Sequence, residues 1–168
     1  MNKFSFLLLG LLIIISLSSC SEFDPKSWYD FITSSSNNEE TSITINTPQG
    51  DETITIVKEN SSIILQEDVT RELVKVMEES LDNNPGMTNL WLSAEDIENF
   101  KRDGLSISVE YKDEKELAIG LPEFKLKVSQ IRVLIDKNHH YIEYASKGSI
   151  EVFVLTKDSY DMILTYFE

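Results

Sequence analysis

The side chains that could carry chemistry are few, because the chain has one cysteine and two histidines. Cys20, being alone, can form neither an internal disulfide nor a zinc site of several thiolates. Nucleophilic catalysis needs a nucleophile beside a base and a third group that orients the base. The two histidines, His139 and His140, are adjacent, and no Gly-x-Ser-x-Gly segment is present. We therefore expect a protein that is not an enzyme, and we assign no catalytic residue.

Metal and phosphate chemistry is equally poorly supported. His139, His140 and Glu143 could offer ligands from one predicted hairpin, but surface turns favour polar residues in any case. The chain has neither Gly-x-Gly-x-x-Gly nor Gly-Lys-Ser/Thr, the loops that cradle nucleotide phosphates. Adjacent carboxylates such as Glu78 and Glu79 are expected by chance in so acidic a chain. The sequence thus predicts no metal and no cofactor.

The first twenty residues have the layout of a secretory signal. Lys3 supplies a positive start, an apolar run covers Phe4–Ile15, and small serines precede Cys20. A membrane span needs about 20 mainly apolar residues, so Phe4–Leu17 is too short to be one. This pattern indicates a signal peptide that is removed rather than a transmembrane helix.

The end of this segment, Leu17-Ser18-Ser19-Cys20, resembles the lipobox of bacterial lipoproteins. The resemblance implies a diacylglycerol on the Cys20 sulfur, with acyl chains such as palmitate, and cleavage after Ser19. Each buried methylene contributes roughly 0.8 kcal/mol, so two acyl chains would anchor the protein stably. The resemblance therefore implies a lipid-anchored protein of the bacterial cell envelope, on the cell membrane and exposed outside the cytoplasm.

Three segments follow from this interpretation. Residues 1–19 are the predicted signal peptide, residues 20–41 the lipidated Cys20 and a flexible polar tether, and residues 42–168 a single α+β domain.

The predicted mature chain is strongly acidic. The whole chain holds 15 Lys and Arg against 29 Asp and Glu, and only Lys3 precedes Cys20, so the mature part carries a net charge of −15. Such a charge repels nucleic acid and anionic lipid headgroups, and attracts basic proteins, basic peptides and cations.

Hydrophobic periodicity predicts the first half of the domain. Alternating isoleucines around residues 47–51 indicate a β-hairpin, and Ser62–Leu65 a third short strand. Apolar residues at helical spacing predict a helix over Glu67–Leu81. A second helix should begin at Ser93, which pairs with Asp96 in a capping-box pattern.

The second half is predicted to be mostly strand. Gly104 is placed for a left-handed exit from the second helix, and Lys112–Lys115 is predicted as a charged turn. A change of phase near Ser129 and Gln130 indicates a β-bulge. Thr156 should cap a last helix. The pattern as a whole predicts an α+β fold, a mainly antiparallel sheet with about three helices packed on one face.

Two tryptophans are candidate partner contacts. Trp28 lies in the tether, where it could sit at the headgroup level of a bilayer or dock on the domain. Trp91 could be an exposed anchor for a partner, but large aromatics mostly fill cores, and core is the favoured interpretation. The functional hypothesis is a non-catalytic protein- or peptide-binding lipoprotein. The alternatives are a small-molecule or metal-binding accessory lipoprotein and, third, a hydrolase.

Overall fold

A computed structural model describes residues 40–47, 50–83, 86–121 and 123–167. Within these ranges the chain forms three helices and one eight-stranded antiparallel sheet, which confirms the predicted α+β fold. Cys20, Ser19 and Trp28 lie outside the described residues, as do the predicted signal peptide and nearly all of the predicted tether. The helices are α1 Glu67–Asp82, α2 Ala94–Asp103 and α3 Lys157–Leu164.

The strands of the sheet are β1 Ser42–Thr47, β2 Gly50–Lys58, β3 Ser61–Ser62, β4 Gly86–Met87, β5 Leu105–Ala118, β6 Lys125–Ile135, β7 His140–Ser146 and β8 Ser149–Val154. They run in the order β1-β2-β5-β6-β7-β8-β4, and β3 also pairs with β2. Every pairing is antiparallel, and β5 to β8 form a meander of sequential hairpins. Local pairing of this kind follows from short connections between strands that each have one buried face.

One face of the sheet carries the main core. Aliphatic side chains from the central strands meet the apolar stripes of α1 and α3 on this face. The helical contribution follows the periodicity seen in the sequence, since α1 buries residues at three- and four-residue intervals. The core centres on Ile54, Ile56, Leu73, Met77, Leu81, Ile107, Val109, Ile131, Val133, Ile142 and Ile163.

The opposite face of the sheet carries the second helix, α2. Ile97 and Phe100 of α2 pack with Leu134 and Val152 in a separate apolar cluster. Leu134 follows Val133 in β6, and successive residues of a strand point to opposite faces. The helices α1 and α3 therefore lie on one face of the sheet and α2 lies on the other, whereas all of the helices were predicted to lie on one face. The reason is that the second face also carries apolar side chains, Leu134 and Val152, which the apolar side of α2 covers.

The charged segment Lys112–Lys115 was predicted as a turn, and this was wrong. It lies within β5, which runs unbroken from Leu105 to Ala118. The irregularity that was predicted near Ser129 and Gln130 is present as a shift in register between the pairs Glu110–Gln130 and Lys115–Val128. Its extra residues, however, belong to β5 and not to β6. A β-bulge absorbs extra residues without ending the strand.

A polar cluster holds this bulge against α1. Lys115 Nζ donates to Glu78 Oε1 at 2.7 Å and to Glu52 Oε1 at 3.0 Å, and the Tyr111 hydroxyl donates to Glu78 at 2.9 Å. Partial burial works against the charge on Lys115, but the hydrogen bonds that it donates to the two carboxylates outweigh this effect and raise the pKa of Lys115. Burial, reinforced by Glu78, raises the pKa of Tyr111. Since the lysine joins both carboxylates to one strand, we interpret the cluster as structural.

Candidate functional site

The candidate site is an open groove of about 310 Å³ beside α2, which we call the aromatic groove. It collects side chains from four parts of the chain: the segment before α2, the helix α2, the turn between β6 and β7, and the start of β7. Aromatic rings and carboxylates dominate its lining, and neither lysine nor arginine is part of it. The lining residues are Leu90, Trp91, Leu92, Asp96, Asn99, Phe100, Asp103, Asp136, His139 and Tyr141.

Trp91 forms the exposed rim of the aromatic groove. Its side chain is 61% exposed, so the favoured interpretation of Trp91 as a core residue was wrong. The neighbouring Leu92 is buried in the cluster beneath α2 and occupies the core position instead. An exposed ring of this size does not contribute the stabilisation that burying its apolar surface would give. Tryptophan is also among the residues most enriched at binding hot spots.

Tyr141 lies at the centre of the aromatic contacts. Its ring meets Phe100 edge to face, with centroids 6.0 Å apart and planes at 80°. On its other side it stacks on His139, with centroids 5.8 Å apart and planes at 21°. Both separations fall in the range in which ring pairs attract each other. These contacts fix the rings in place, so the groove presents preformed aromatic surface.

Three carboxylates lie among these rings, and each has a lowered pKa. Hydrogen bonds from the Ser93 side chain and backbone lower the pKa of Asp96. A hydrogen bond from Arg102 lowers the pKa of Asp103. Partial burial opposes the ionisation of Asp136, but hydrogen bonds from Asn138 and His139 outweigh it and lower its pKa as well. All three groups are therefore anionic at neutral pH.

The close approach of α2 to the end of β6 brings Asp103 near Asp136. Gly104 was predicted to leave the helix in the left-handed region, and this was wrong, because its φ is −155°. The residue is needed for a different reason. A Cβ atom at Gly104 would lie 2.1 Å from the carbonyl oxygen of Ile135, so only glycine lets the two backbones meet.

A second, more polar cavity of about 550 Å³ adjoins the aromatic groove and shares Asp103 and Asp136 with it. Its remaining lining includes both signs of charge: Glu59, Arg102, Lys137 and Asn138. The aromatic groove is thus lined by carboxylates without lysine or arginine, and both cations, Arg102 and Lys137, line the adjoining cavity.

The predicted capping box at the start of α2 is confirmed. Asp96 N–H donates to Ser93 Oγ at 3.2 Å, and Ser93 N–H donates to Asp96 Oδ2 at 2.8 Å. The Ser93 hydroxyl also donates to Asp96 Oδ2 at 2.6 Å, so the second carboxylate oxygen is not used by the cap. Leu92 before the cap and Ile97 after it belong to one apolar cluster, so the helix start also has a hydrophobic staple.

Replacing Ser93 by Ala should lower the free energy of unfolding by about 1 kcal/mol at pH 7, as loss of a helix cap usually does. A carboxylate whose pKa is lowered by folding stabilises the protein above its unfolded pKa, about 3.9 for Asp, and this stabilisation disappears as pH falls through the lower folded value. The difference between Ser93→Ala and the parent should therefore shrink below about pH 4. Urea unfolding at pH 7 and pH 3 measures it, with the exposed Ser61→Ala as the control, and a difference independent of pH would contradict this account.

His139, His140 and Glu143, which could have offered metal ligands from one hairpin, are not brought together. His139 faces Asp136, with Nδ1 3.2 Å from both carboxylate oxygens. His140 and Glu143 are three residues apart in β7, so they point to opposite faces of the sheet. Glu143 is bound instead to Arg132, at 2.6 Å. Among the described residues there is no group of three or more His, Cys, Asp or Glu that could hold a metal ion.

No family model, curated protein or solved structure matches the chain. In the described part of the chain, none of the helices has the length and apolar character needed to cross a membrane.

Proposed function

We propose that the protein is a lipid-anchored lipoprotein of the bacterial cell envelope that binds a basic protein or peptide, without catalysis, through the aromatic groove. The observation that carries this proposal is the combination of an exposed Trp91 with three ionised carboxylates on one groove. Aromatic anchors supply buried area in an interface, and complementary charge supplies orientation and a fast association rate.

The charge of the whole chain supports the same class of partner. A net charge of −15 after Cys20 creates a field that draws cations towards the surface and repels phosphates. Within the aromatic groove, Asp96, Asp103 and Asp136 concentrate this field beside rings whose faces also attract cations. A basic segment would therefore meet both a long-range and a short-range attraction at the same place.

The proposed anchor is compatible with a partner near the membrane. The first described residue, Glu40, pairs with Lys101 of α2 at 2.8 Å, so the chain enters the domain beside the helix that lines the groove. Cys20 lies 20 residues earlier, and a chain of that length reaches at most about 70 Å. The distance from the bilayer to the groove would thus be at most this reach of about 70 Å plus the width of the domain.

Binding of a labelled lysine- and arginine-rich peptide to the full-length protein in neutral detergent tests the proposed function. Affinity should fall at least about tenfold between 50 and 500 mM NaCl, since screening shortens the range of the attraction. A peptide of the same length with Glu at the basic positions serves as the control. Equal binding of both peptides, or an affinity that does not change with salt, would contradict the proposal.

The anchoring part has its own test. Cys20→Ala in the producing bacterium should leave the chain unlipidated and move it from the membrane to the soluble fraction, and mass spectrometry of the parent should find acyl chains on Cys20. Ser21→Ala, next to the lipobox, is the matched control and should stay in the membrane. A membrane-bound Cys20→Ala would overturn the lipoprotein assignment.

A further inference from the structure

We infer that the aromatic groove recognises arginine in preference to lysine in its basic partner. The inference rests on the proposed function and narrows it to one side chain of the partner. The arginine guanidinium would stack on the exposed ring of Trp91, next to the packed ring of Tyr141, and pair with the carboxylates at the α2 end of the groove.

The aromatic part of the groove favours a planar cation. Guanidinium is flat and weakly hydrated, so it stacks on a ring face, whereas ammonium is a compact and strongly hydrated point charge. Tryptophan offers the most favourable ring for such a contact. Trp91 is 61% exposed, and Tyr141 is already held between Phe100 and His139. The Tyr141 ring is therefore already ordered before a ligand arrives, and Trp91 supplies the exposed ring face.

The carboxylate part shows the matching geometry within the protein itself. Arg102 binds its neighbour Asp103 as a fork, with Nη2 2.7 Å from Oδ2 and Nε 3.1 Å from Oδ1. Asp103 therefore accepts a guanidinium in two-point fashion, which is the arrangement that distinguishes arginine from lysine. This internal pair is exposed, with 55% and 62% of the two side chains accessible, and exposed pairs exchange at little cost.

Arg102 consequently acts as a competitor that an incoming arginine replaces. Lys137 favours the ionisation of Asp103 and Asp136 opposes it, so removing Arg102 would leave the two neighbouring anions without the cation that is hydrogen-bonded to Asp103. A second guanidinium is the natural substitute. The variant Arg102→Gln should therefore strengthen the binding of an arginine peptide. The substitution makes the net charge of the protein more negative by only one unit.

Three short peptides that differ only at one position, Arg, Lys or the neutral citrulline, test the inference against the full-length protein in neutral detergent. We expect the Arg peptide to bind about five- to tenfold more tightly than the Lys peptide, and citrulline to bind most weakly. Trp91→Leu should remove the preference for Arg over Lys. Phe124→Leu is the matched control, because Phe124 is 53% exposed at the opposite end of β6 and should leave the preference unchanged.

The outcomes separate the two proposals. If Arg and Lys peptides bind equally and Trp91→Leu weakens both, the groove binds basic partners but the inference about arginine is overturned. If none of the three peptides binds, the proposed function fails together with the inference. If Arg102→Gln weakens the Arg peptide instead of strengthening it, Arg102 is part of the site rather than a competitor, and the exchange is overturned.

Discussion

Replacing Glu143 by Leu should lower the free energy of unfolding by about 3–5 kcal/mol, the usual cost of leaving one member of a buried ion pair alone. Glu143 accepts a hydrogen bond from Arg132 Nη1 at 2.6 Å, and the two side chains are only 6% and 7% exposed. They are cross-strand partners on β7 and β6, on the face of the sheet that carries α2. Without Glu143, the guanidinium would be buried without its counter-charge.

The same pair should be dispensable when both members are removed together. Burial raises the pKa of Glu143 in spite of the opposing effect of Arg132, so the desolvation of the carboxylate outweighs the attraction. The double variant Arg132→Met with Glu143→Leu should thus recover most of the free energy of unfolding that Glu143→Leu loses. Chemical unfolding of the parent, the single and the double variant measures this.

A surface pair provides the control for this cycle. Lys75 and Glu79 lie 3.6 Å apart on α1, with most of both side chains in solvent. Glu79→Leu should change the free energy of unfolding by no more than about 0.5 kcal/mol. A Glu143→Leu variant that is as stable as Glu79→Leu would show that the Arg132–Glu143 pair is not buried as described.

Replacing Gly104 by Ala should destabilise the protein by about 3 kcal/mol or more, at or beyond the upper end of the usual cost of overpacking. The added Cβ would lie 2.1 Å from the Ile135 carbonyl oxygen and 3.1 Å from the Asp136 Cα. Both are backbone atoms, which cannot move aside as a flexible side chain can. The end of α2 must therefore separate from β6.

The separation should also weaken the binding of basic peptides, because it moves Asp103 away from Asp136. Thermal unfolding measures the first effect and peptide affinity the second. Gly86→Ala is the matched control: its Cβ would meet the Val154 side chain at 3.7 Å, an ordinary contact, and the change should cost less than about 1 kcal/mol. A stable Gly104→Ala variant would contradict the described contact between α2 and β6.

The features that could be predicted from the sequence are those that depend on residues close together in the chain. The capping box of Ser93 and Asp96, the cap at Thr156 and the helical stripe of α1 each involve residues within a few positions of one another. Alternation likewise identified most strands. These signals arise from backbone geometry that repeats every two or 3.6 residues, so they need no knowledge of the rest of the fold.

The bulge in β5 and the role of Gly104 show where such patterns fail. Lys112–Lys115 is charged and polar, and its composition is typical of a turn. It lies within β5, where Lys115 pairs with Glu52 and Glu78, which are far away in sequence. Gly104 follows a helix, where a left-handed conformation is common. Its actual requirement is set by Ile135, which is distant in the chain and whose position depends on the packing of the whole sheet.

The aromatic groove could be predicted only in part for the same reason. Trp91 was recognisable as a candidate from its size and position, but not as exposed, since Leu92 competes with it for the apolar cluster. Phe100, Asp103, Asp136 and Tyr141 carried no signal of a shared site. They come from α2, the turn after β6 and the strand β7, and only the pairing of those elements brings them together.

Titration of the isotope-labelled full-length protein with the arginine-containing peptide, followed by nuclear magnetic resonance, tests the central claim most directly. A Trp28→Phe variant leaves Trp91 as the only indole, so its side-chain N–H signal is assigned without ambiguity. We predict saturable shifts of this signal and of the backbone amides of Asp103, Asp136 and Tyr141, with those of Phe124 unchanged. Shifts spread evenly over the acidic surface, or an unmoved Trp91 indole, would contradict the claim that this groove is the binding site.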